Sequence, residues 1–247
     1  MKQPIGRLVG PFAGAVVAFA AVACSVDAGD GVPVVAPEDL QADITTQLEA
    51  AGAQPQSVSC QGPLVGEIGQ STRCDVVLSP TNSFEPIVTV TAVSGGTIDY
   101  ELIPALSAQQ LQRAVARLAG DDTGSDVQVN CQAGLLGRLG EETRCDVTAE
   151  GVTLARTAQV TSVEGLMMNF DLVPVLTKDE VEASLLDEVA RHLGRRPDSA
   201  LCTGELEGRL GNTVDCAVAD GDERAVFILT VTSVDGDNID YSYAPRG

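Results

Sequence analysis

The sequence predicts an α+β fold of three tandem modules, each one helix followed by a four-stranded antiparallel sheet with an intramodule disulfide. Six of the seven cysteines form three pairs with one spacing, 14 residues, and one period, 71 residues. Each pair follows a stretch of helical periodicity and precedes segments typical of strands. The pairs are Cys60 with Cys74, Cys131 with Cys145, and Cys202 with Cys216. The predicted modules are residues 37–104, 105–174 and 175–247.

The N-terminal residues indicate export. Lys2 and Arg7 precede an uncharged apolar run, residues 8–23, which predicts a signal peptide over residues 1–23. Ala21-Val22-Ala23-Cys24 resembles a lipobox, which implies a lipidated Cys24 at the start of the mature chain. Residues 24–36 then form a flexible tether. The alternative is ordinary signal peptidase cleavage at the same bond, which leaves Cys24 as a free thiol on a secreted protein.

A helix is predicted ahead of each cysteine pair. Leu40, Ile44 and Leu48 recur at four-residue steps, as expected for the buried stripe of an amphipathic helix. The second and third helices carry the corresponding stripes Leu111, Val115, Leu118 and Val181, Leu185, Val189, Leu193. Start signals are Pro37 and the capping-box pairs Ser107 with Gln110 and Thr177 with Glu180. Gly52, Gly120 and Gly194 mark the ends.

Each cysteine pair is predicted to close a hairpin. The three segments read CQGPLVGEIGQSTRCDV, CQAGLLGRLGEETRCDV and CTGELEGRLGNTVDCAV. If Cys60 faces Cys74 across an antiparallel pair, the centre of the connection falls at Glu67, between two glycines. Such glycines would supply the positive φ angles of a tight return. The predicted turn glycines are Gly66, Gly69, Gly137, Gly140, Gly208 and Gly211.

Two further strands are predicted in each module. Residues 87–93, 158–163 and 227–234 are rich in β-branched side chains, and each run precedes a glycine turn. The last strand alternates, with Ile98, Tyr100 and Leu102 predicted to face the core. The corresponding sets are Met168, Phe170, Leu172 and Ile239, Tyr241, Tyr243. Pro104, Pro174 and Pro245 are predicted to end these strands.

Small domains bury little apolar surface, and a disulfide is a common remedy. Closing a loop of roughly 15 residues stabilises a fold by about 3 kcal/mol in the chain-entropy model. Disulfides persist outside the reducing cytosol, so the cysteine pairs also predict an extracytoplasmic location.

Composition restricts the partners. The chain has 35 acidic and 15 basic residues, a formal net charge of −20, and no tryptophan. Nucleic acid is therefore excluded as a partner, because it rewards clustered lysine and arginine and aromatic stacking. The acidic surface favours solubility, and a basic partner is the alternative interpretation.

No motif predicts catalysis. His192 is the only histidine, and no nucleophile motif accompanies it. The cysteine spacing is not that of a zinc site. We therefore predict a protein that is not an enzyme, with no catalytic residue, no metal and no cofactor.

The repeated segments resemble the actinobacterial domain of unknown function 4333, an extracytoplasmic module with two cysteines around a Leu-x-Gly-x-x-Gly hairpin. The ending VDGDNIDY, residues 234–241, is similar to the closing turn and strand of that family. The resemblance covers nearly all of residues 37–247 and implies a secreted or lipid-anchored envelope protein, without implying a reaction. The predicted architecture also resembles that of secreted β-lactamase inhibitory proteins in shape.

The expected function is a non-catalytic binding or scaffolding array on the outer face of the cell membrane, held by a lipid on Cys24. Its partner would be an unknown envelope protein or a basic partner. One alternative is an inhibitor-like protein-binding module, in which sheet faces or the Gly-x-x-Gly turns grip an enzyme or a basic partner. The other is a carrier whose helix–sheet cleft holds a lipid or other apolar ligand.

Overall fold

The computed structural model describes residues 31–120 and 127–246, and these residues are mainly β. Strands account for 52% of them and helices for 20%. The predicted α+β class, with one helix and one four-stranded sheet per module, is therefore wrong. The strands form two five-stranded sheets, one four-stranded sheet and two two-stranded sheets.

Three helices lie within the described residues, one ahead of each cysteine pair. They are α1 (Pro37–Ala50), α2 (Ala108–Gly120) and α3 (Lys178–Leu193). Both capping boxes are present: Thr177 and Glu180 exchange hydrogen bonds at the start of α3, and Ser107 and Gln110 do so before α2. Gly194 ends α3 in the left-handed conformation.

The strands recur in one order around the helices, and all pairs are antiparallel. The first third of the chain contains β1 (Val34–Val35), β2 (Ser57–Cys60), β3 (Leu64–Val65), β4 (Ser71–Ser79), β5 (Asn82–Phe84), β6 (Ile87–Ser94) and β7 (Thr97–Ile103). Next come β8 (Ala105–Leu106), β9 (Gln128–Cys131), β10 (Leu135–Leu136), β11 (Glu142–Ala149), β12 (Val152–Glu164) and β13 (Met167–Leu176). The last are β14 (Ser199–Cys202), β15 (Leu206–Glu207), β16 (Thr213–Asp220), β17 (Glu223–Asp235) and β18 (Asn238–Pro245).

Short pairings that the sequence did not indicate account for the different sheet plan. Inside each cysteine loop a two-residue strand pairs with the segment that precedes the helix: β3 with β1, β10 with β8, and β15 with β13. Because β13 is also the last strand of the preceding sheet, β15 joins that sheet, in the order β15-β13-β12-β11-β9. That sheet therefore combines strands from the second and third sequence repeats.

Two further differences between the predicted and the observed strands involve prolines. Pro86 separates β5 from β6 in the first repeat, because it has no N–H to donate within a ladder. The equivalent positions Arg156 and Phe227, opposite Cys145 and Cys216, lie within the uninterrupted 13-residue strands β12 and β17. Pro174 was predicted to end a strand, but it lies inside β13.

Each helix covers a core that contains one disulfide. Cys60–Cys74, Cys131–Cys145 and Cys202–Cys216 are all bridged, and the members of each pair face each other in the strand register, as predicted. The buried apolar helix residues are Leu40, Ile44, Leu48, Leu111, Val115, Val181, Leu185 and Val189. Leu118 and Leu193, which were predicted to extend the buried stripes, are exposed. The last-strand residues predicted to face the core pack against these clusters.

Candidate binding surfaces

The Gly-x-x-Gly turns are held by one backbone hydrogen-bond pattern in all three repeats. In the first, the Gly66 amide donates to the Pro33 carbonyl at 2.8 Å and the Gly69 amide to the Val90 carbonyl at 2.9 Å. Gly137 and Gly140 donate in the same way to Pro104 and Val160, and Gly208 and Gly211 to Pro174 and Val231. The turns are therefore fixed to the segment ahead of the helix on one side and to the long strand on the other.

The two positions of each turn require glycine for different structural reasons. Only the second adopts positive φ, between 81° and 85° in Gly69, Gly140 and Gly211. The first is in ordinary backbone conformation but lies against proline: a Cβ on Gly66 would be 2.8 Å from the Pro33 carbonyl oxygen. The prediction that both glycines supply positive φ therefore holds for the second glycine alone.

Both glycine amides point inward, and this limits the turn chemically. An anion-binding loop needs free backbone N–H groups directed at the ligand. Since both amides donate to carbonyls of the protein, the glycines offer no donors to a phosphate.

A large aliphatic side chain projects from each turn. Ile68, Leu139 and Leu210 occupy the same position, ahead of the second glycine, and are 75%, 77% and 74% exposed. The preceding residue changes from Glu67 to Arg138 and Arg209, whereas the residue at this position is a large aliphatic one in all three repeats. We call these three residues the tips. Sequence reasoning found the turn and offered it as one surface that could grip a partner, but it did not single out these three residues, although the repeated aliphatic residue between the glycines was a usable signal.

A second candidate is a cleft of about 150 Å³ between the first two repeats. One wall is the stripe of α2 that contains Gln110, Arg113, Ala114 and Arg117, and another is the turn between β4 and β5. The turn between β12 and β13 closes the third side with residues 166–168, and Phe170 lies beyond it. An open groove continues from the cleft along α2 and β13 to Leu118.

The cleft lies where a polar link between helix and last strand is missing. In the first repeat the Tyr100 hydroxyl donates to Asp43 on α1 at 3.0 Å, and in the third the hydroxyls of Tyr241 and Ser184 are 2.7 Å apart. Partial burial raises the pKa of Tyr241, and the Ser184 hydrogen bond opposes this rise. The equivalent residues of the second repeat are Phe170 and Ala114. These side chains cannot hydrogen-bond, and both line the cleft.

Other predicted residues lie outside these surfaces or outside the described part of the chain. The predicted signal peptide, residues 1–23, and Cys24 fall outside the described residues. His192 Nδ1 is 3.0 Å from the Glu188 carbonyl oxygen and 3.0 Å from the Tyr243 hydroxyl, so the ring links α3 to β18. Across residues 31–120 and 127–246, no three potential metal-ligating side chains gather, and no helix is long and apolar enough to span a membrane.

Comparison with known proteins confirms the predicted family resemblance over residues 19–96, which include the first repeat's cysteine pair, and not over the second and third repeats. A family described as domain of unknown function (DUF4333) matches residues 19–96. That stretch includes the first cysteine pair and the first Gly-x-x-Gly turn, so this part of the chain is similar to a domain whose description gives no activity. No curated protein matches the chain, and no solved structure matches it.

Proposed function

We propose that this chain is a non-catalytic binding array of the cell envelope, anchored to the outer face of the membrane by a lipid on Cys24. Three modules, residues 37–104, 105–174 and 175–247, would present the tips Ile68, Leu139 and Leu210 to one protein partner. The observation that carries the proposal is the exposure of a large aliphatic side chain at the same position of three rigid turns.

The physical argument concerns preorganisation. A single exposed leucine is ordinary in a soluble protein. Here the side chain stands on a turn fixed by backbone hydrogen bonds on both sides, so little conformational entropy is lost on binding. Three such contacts on one chain raise the apparent affinity through effective concentration when one partner spans them.

The charge of the chain favours a basic partner. At a formal net charge of −20 the protein repels anionic surfaces. Complementary charge accelerates association and is screened by salt. The retained partner should therefore elute as the ionic strength rises.

Affinity capture from an envelope extract tests the role of the tips. The unsubstituted chain should retain one dominant partner, and Ile68→Ser, Leu139→Ser and Leu210→Ser should weaken retention in steps that accumulate in the triple variant. The matched control replaces exposed aliphatic residues elsewhere, by Val152→Ser, Leu193→Ser and Leu201→Ser. Equal retention by the two triple variants would refute a role for the tips.

Fractionation tests the anchor separately. Cys24→Ala should move the protein from the membrane fraction to the soluble one, because the proposed lipid attachment is lost. A variant that stays in the membrane fraction would contradict the lipid anchor. The role of the tips is judged by affinity capture and not by this experiment.

A further inference from the structure

The helix beside the cleft differs in charge from the other two. It contains Arg113 and Arg117 and no carboxylate, whereas α1 has four carboxylates and no lysine or arginine. In α3 five carboxylates accompany Lys178 and Arg191. A cationic helix in a strongly acidic chain therefore lines this cleft.

The two arginines have no carboxylate partner within the part of the chain that the structure describes. The ion pairs between described residues include neither Arg113 nor Arg117. They are four residues apart on one helix face, so their guanidinium groups can reach a common anion. Both line the cleft.

The same positions are not cationic in the other helices. Aligned on the buried residues Leu40, Leu111 and Val181, Arg113 corresponds to Ala42 and Ala183, and Arg117 to Thr46 and Asp187. The loss of the tyrosine link, to Phe170 and Ala114, occurs in the same repeat. One repeat thus combines an apolar opening with two arginines that form no ion pair with another described residue.

Part of the remaining lining is apolar and suits a hydrocarbon chain, while Thr81, Asn82, Ser83 and Gln110 contribute polar groups. Phe84, Leu106 and Leu166 are apolar residues of the cleft, and Met168 and Phe170 continue into the groove along α2. A cavity of this size admits an apolar group about as large as benzene, and the open groove extends the contact along the helix. Methionine adapts its shape to flexible apolar ligands.

We propose that the cleft between the first two repeats binds a fatty acid, with its acyl chain against Phe170, Met168 and Leu166 and its carboxylate between Arg113 and Arg117. Guanidinium groups match carboxylates in geometry and charge. This site does not include the tips, so the two proposals stand on different residues.

Calorimetric titration of the full chain carrying Cys24→Ser tests the proposal, since no covalent acyl group of its own can then compete. Decanoate is the probe, and decyl maltoside offers the same chain length with an uncharged head group. Decanoate should bind at one site, more tightly than decyl maltoside. Arg113→Gln with Arg117→Gln should weaken decanoate roughly tenfold and leave decyl maltoside unchanged.

Two control variants make the result specific. Arg138→Gln with Arg224→Gln removes two other arginines that have no ion pair among the described residues, and it should leave decanoate binding unchanged. Ala114→Ser with Phe170→Tyr rebuilds the link of the third repeat, places two hydroxyl groups on the apolar wall of the cleft and should weaken binding of both probes. Circular dichroism of each variant verifies that it is folded.

The outcomes separate the parts of the proposal. Equal affinity for both probes, unaffected by the arginine variant, would overturn carboxylate recognition. No binding of decanoate by the unsubstituted cleft would overturn the site itself. Either result leaves partner capture by the tips to be judged on its own measurement.

Discussion

At the scale of single residues, the first glycine of each Gly-x-x-Gly turn lies against a proline of the segment that enters the repeat. A Cβ on Gly208 would be 2.8 Å from Pro174 Cγ and 3.1 Å from the Pro174 carbonyl oxygen. Pro174 lies within β13 and is held by its neighbours β12 and β15. The proline therefore cannot move away without disturbing a sheet.

Gly208→Ala should lower the free energy of unfolding by about 1–3 kcal/mol, the usual range for overpacking. Gly204 is in the same cysteine loop, has no positive φ, and would place its Cβ in open space. Gly204→Ala is thus a matched control and should change stability by less than about 0.5 kcal/mol. Urea denaturation of both variants measures the difference. Equal effects would mean that contact with Pro174 is not the reason for glycine.

The sequence correctly predicted that these glycines lie in turns. The predicted reason, positive φ, was wrong for the first glycine of each turn. A Gly-x-x-Gly pattern between facing cysteines indicates a turn, because glycine is the usual residue at positive φ. Close approach to Pro33, Pro104 or Pro174 depends on a contact some 30 residues distant in the chain. No local pattern contains that information.

At the scale of elements, α1 begins differently from α2 and α3. Thr177 caps α3 with a complete capping box, whereas Ala36 is the N-cap of α1 and has no side chain able to cap. The backbone of Ala36 is already extended, with φ −67° and ψ 149°, which is the conformation that a capping residue adopts. The first turn of α1 therefore lacks one available hydrogen bond.

Ala36→Ser should raise the free energy of unfolding by about 0.5–1 kcal/mol, because serine can accept a hydrogen bond from the backbone at this end. Thr177→Ala is the reverse change at the equivalent position of α3 and should lower stability by about 1 kcal/mol. Thermal and urea unfolding of both variants provide the measurement. A destabilised Ala36→Ser protein would show that the first turn of α1 has no room for the added hydrogen bond.

Elements with periodicity or caps were predictable, and the shortest strands were not. The four-residue stripe of Leu40, Ile44 and Leu48 and the cap at Thr177 predicted real helices. A two-residue strand such as β15 has no period for a pattern to detect. Since β15 joins the second five-stranded sheet, and β1, β3, β8 and β10 form two further sheets, missing these strands gave the wrong sheet plan. The cleft was missed for a related reason, because it depends on contacts between repeats.

At the scale of the whole molecule, the β-turn before the last strand contacts the preceding repeat in both the second and the third repeat. The two contacts differ in chemistry. Leu166, 5% exposed, belongs to the buried cluster of the first repeat. The equivalent residue of the third repeat, Asp237, forms an ion pair with Arg156 of the second. One junction is therefore apolar and the other ionic.

The same junction, between the second and third repeats, also contains a polar network around β15. Arg209 pairs with Glu142 at 3.1 Å, Arg144 pairs with Glu205, and the Thr157 hydroxyl donates to Glu207 at 2.9 Å. These residues flank the pairing of β15 with β13, which joins the third repeat to the second sheet. Exposed ion pairs each contribute about 0.2–1 kcal/mol, but several that share one junction act together.

Raising the salt concentration should loosen the ionic junction before the apolar one. At about 1 M salt the screening length falls to roughly 3 Å, so the amides of β15 should exchange with deuterium faster while those of β10 change little.

Arg209→Gln with Arg144→Gln should produce the same acceleration at low salt, and added salt should then have little further effect. Leu166→Ser is the counterpart and should accelerate exchange around β8 and β10 equally at low and high salt. Hydrogen exchange measured by mass spectrometry distinguishes these results. Uniform acceleration across both junctions would show that the repeats open as one unit and that the ion pairs around β15 do not hold the third repeat in place.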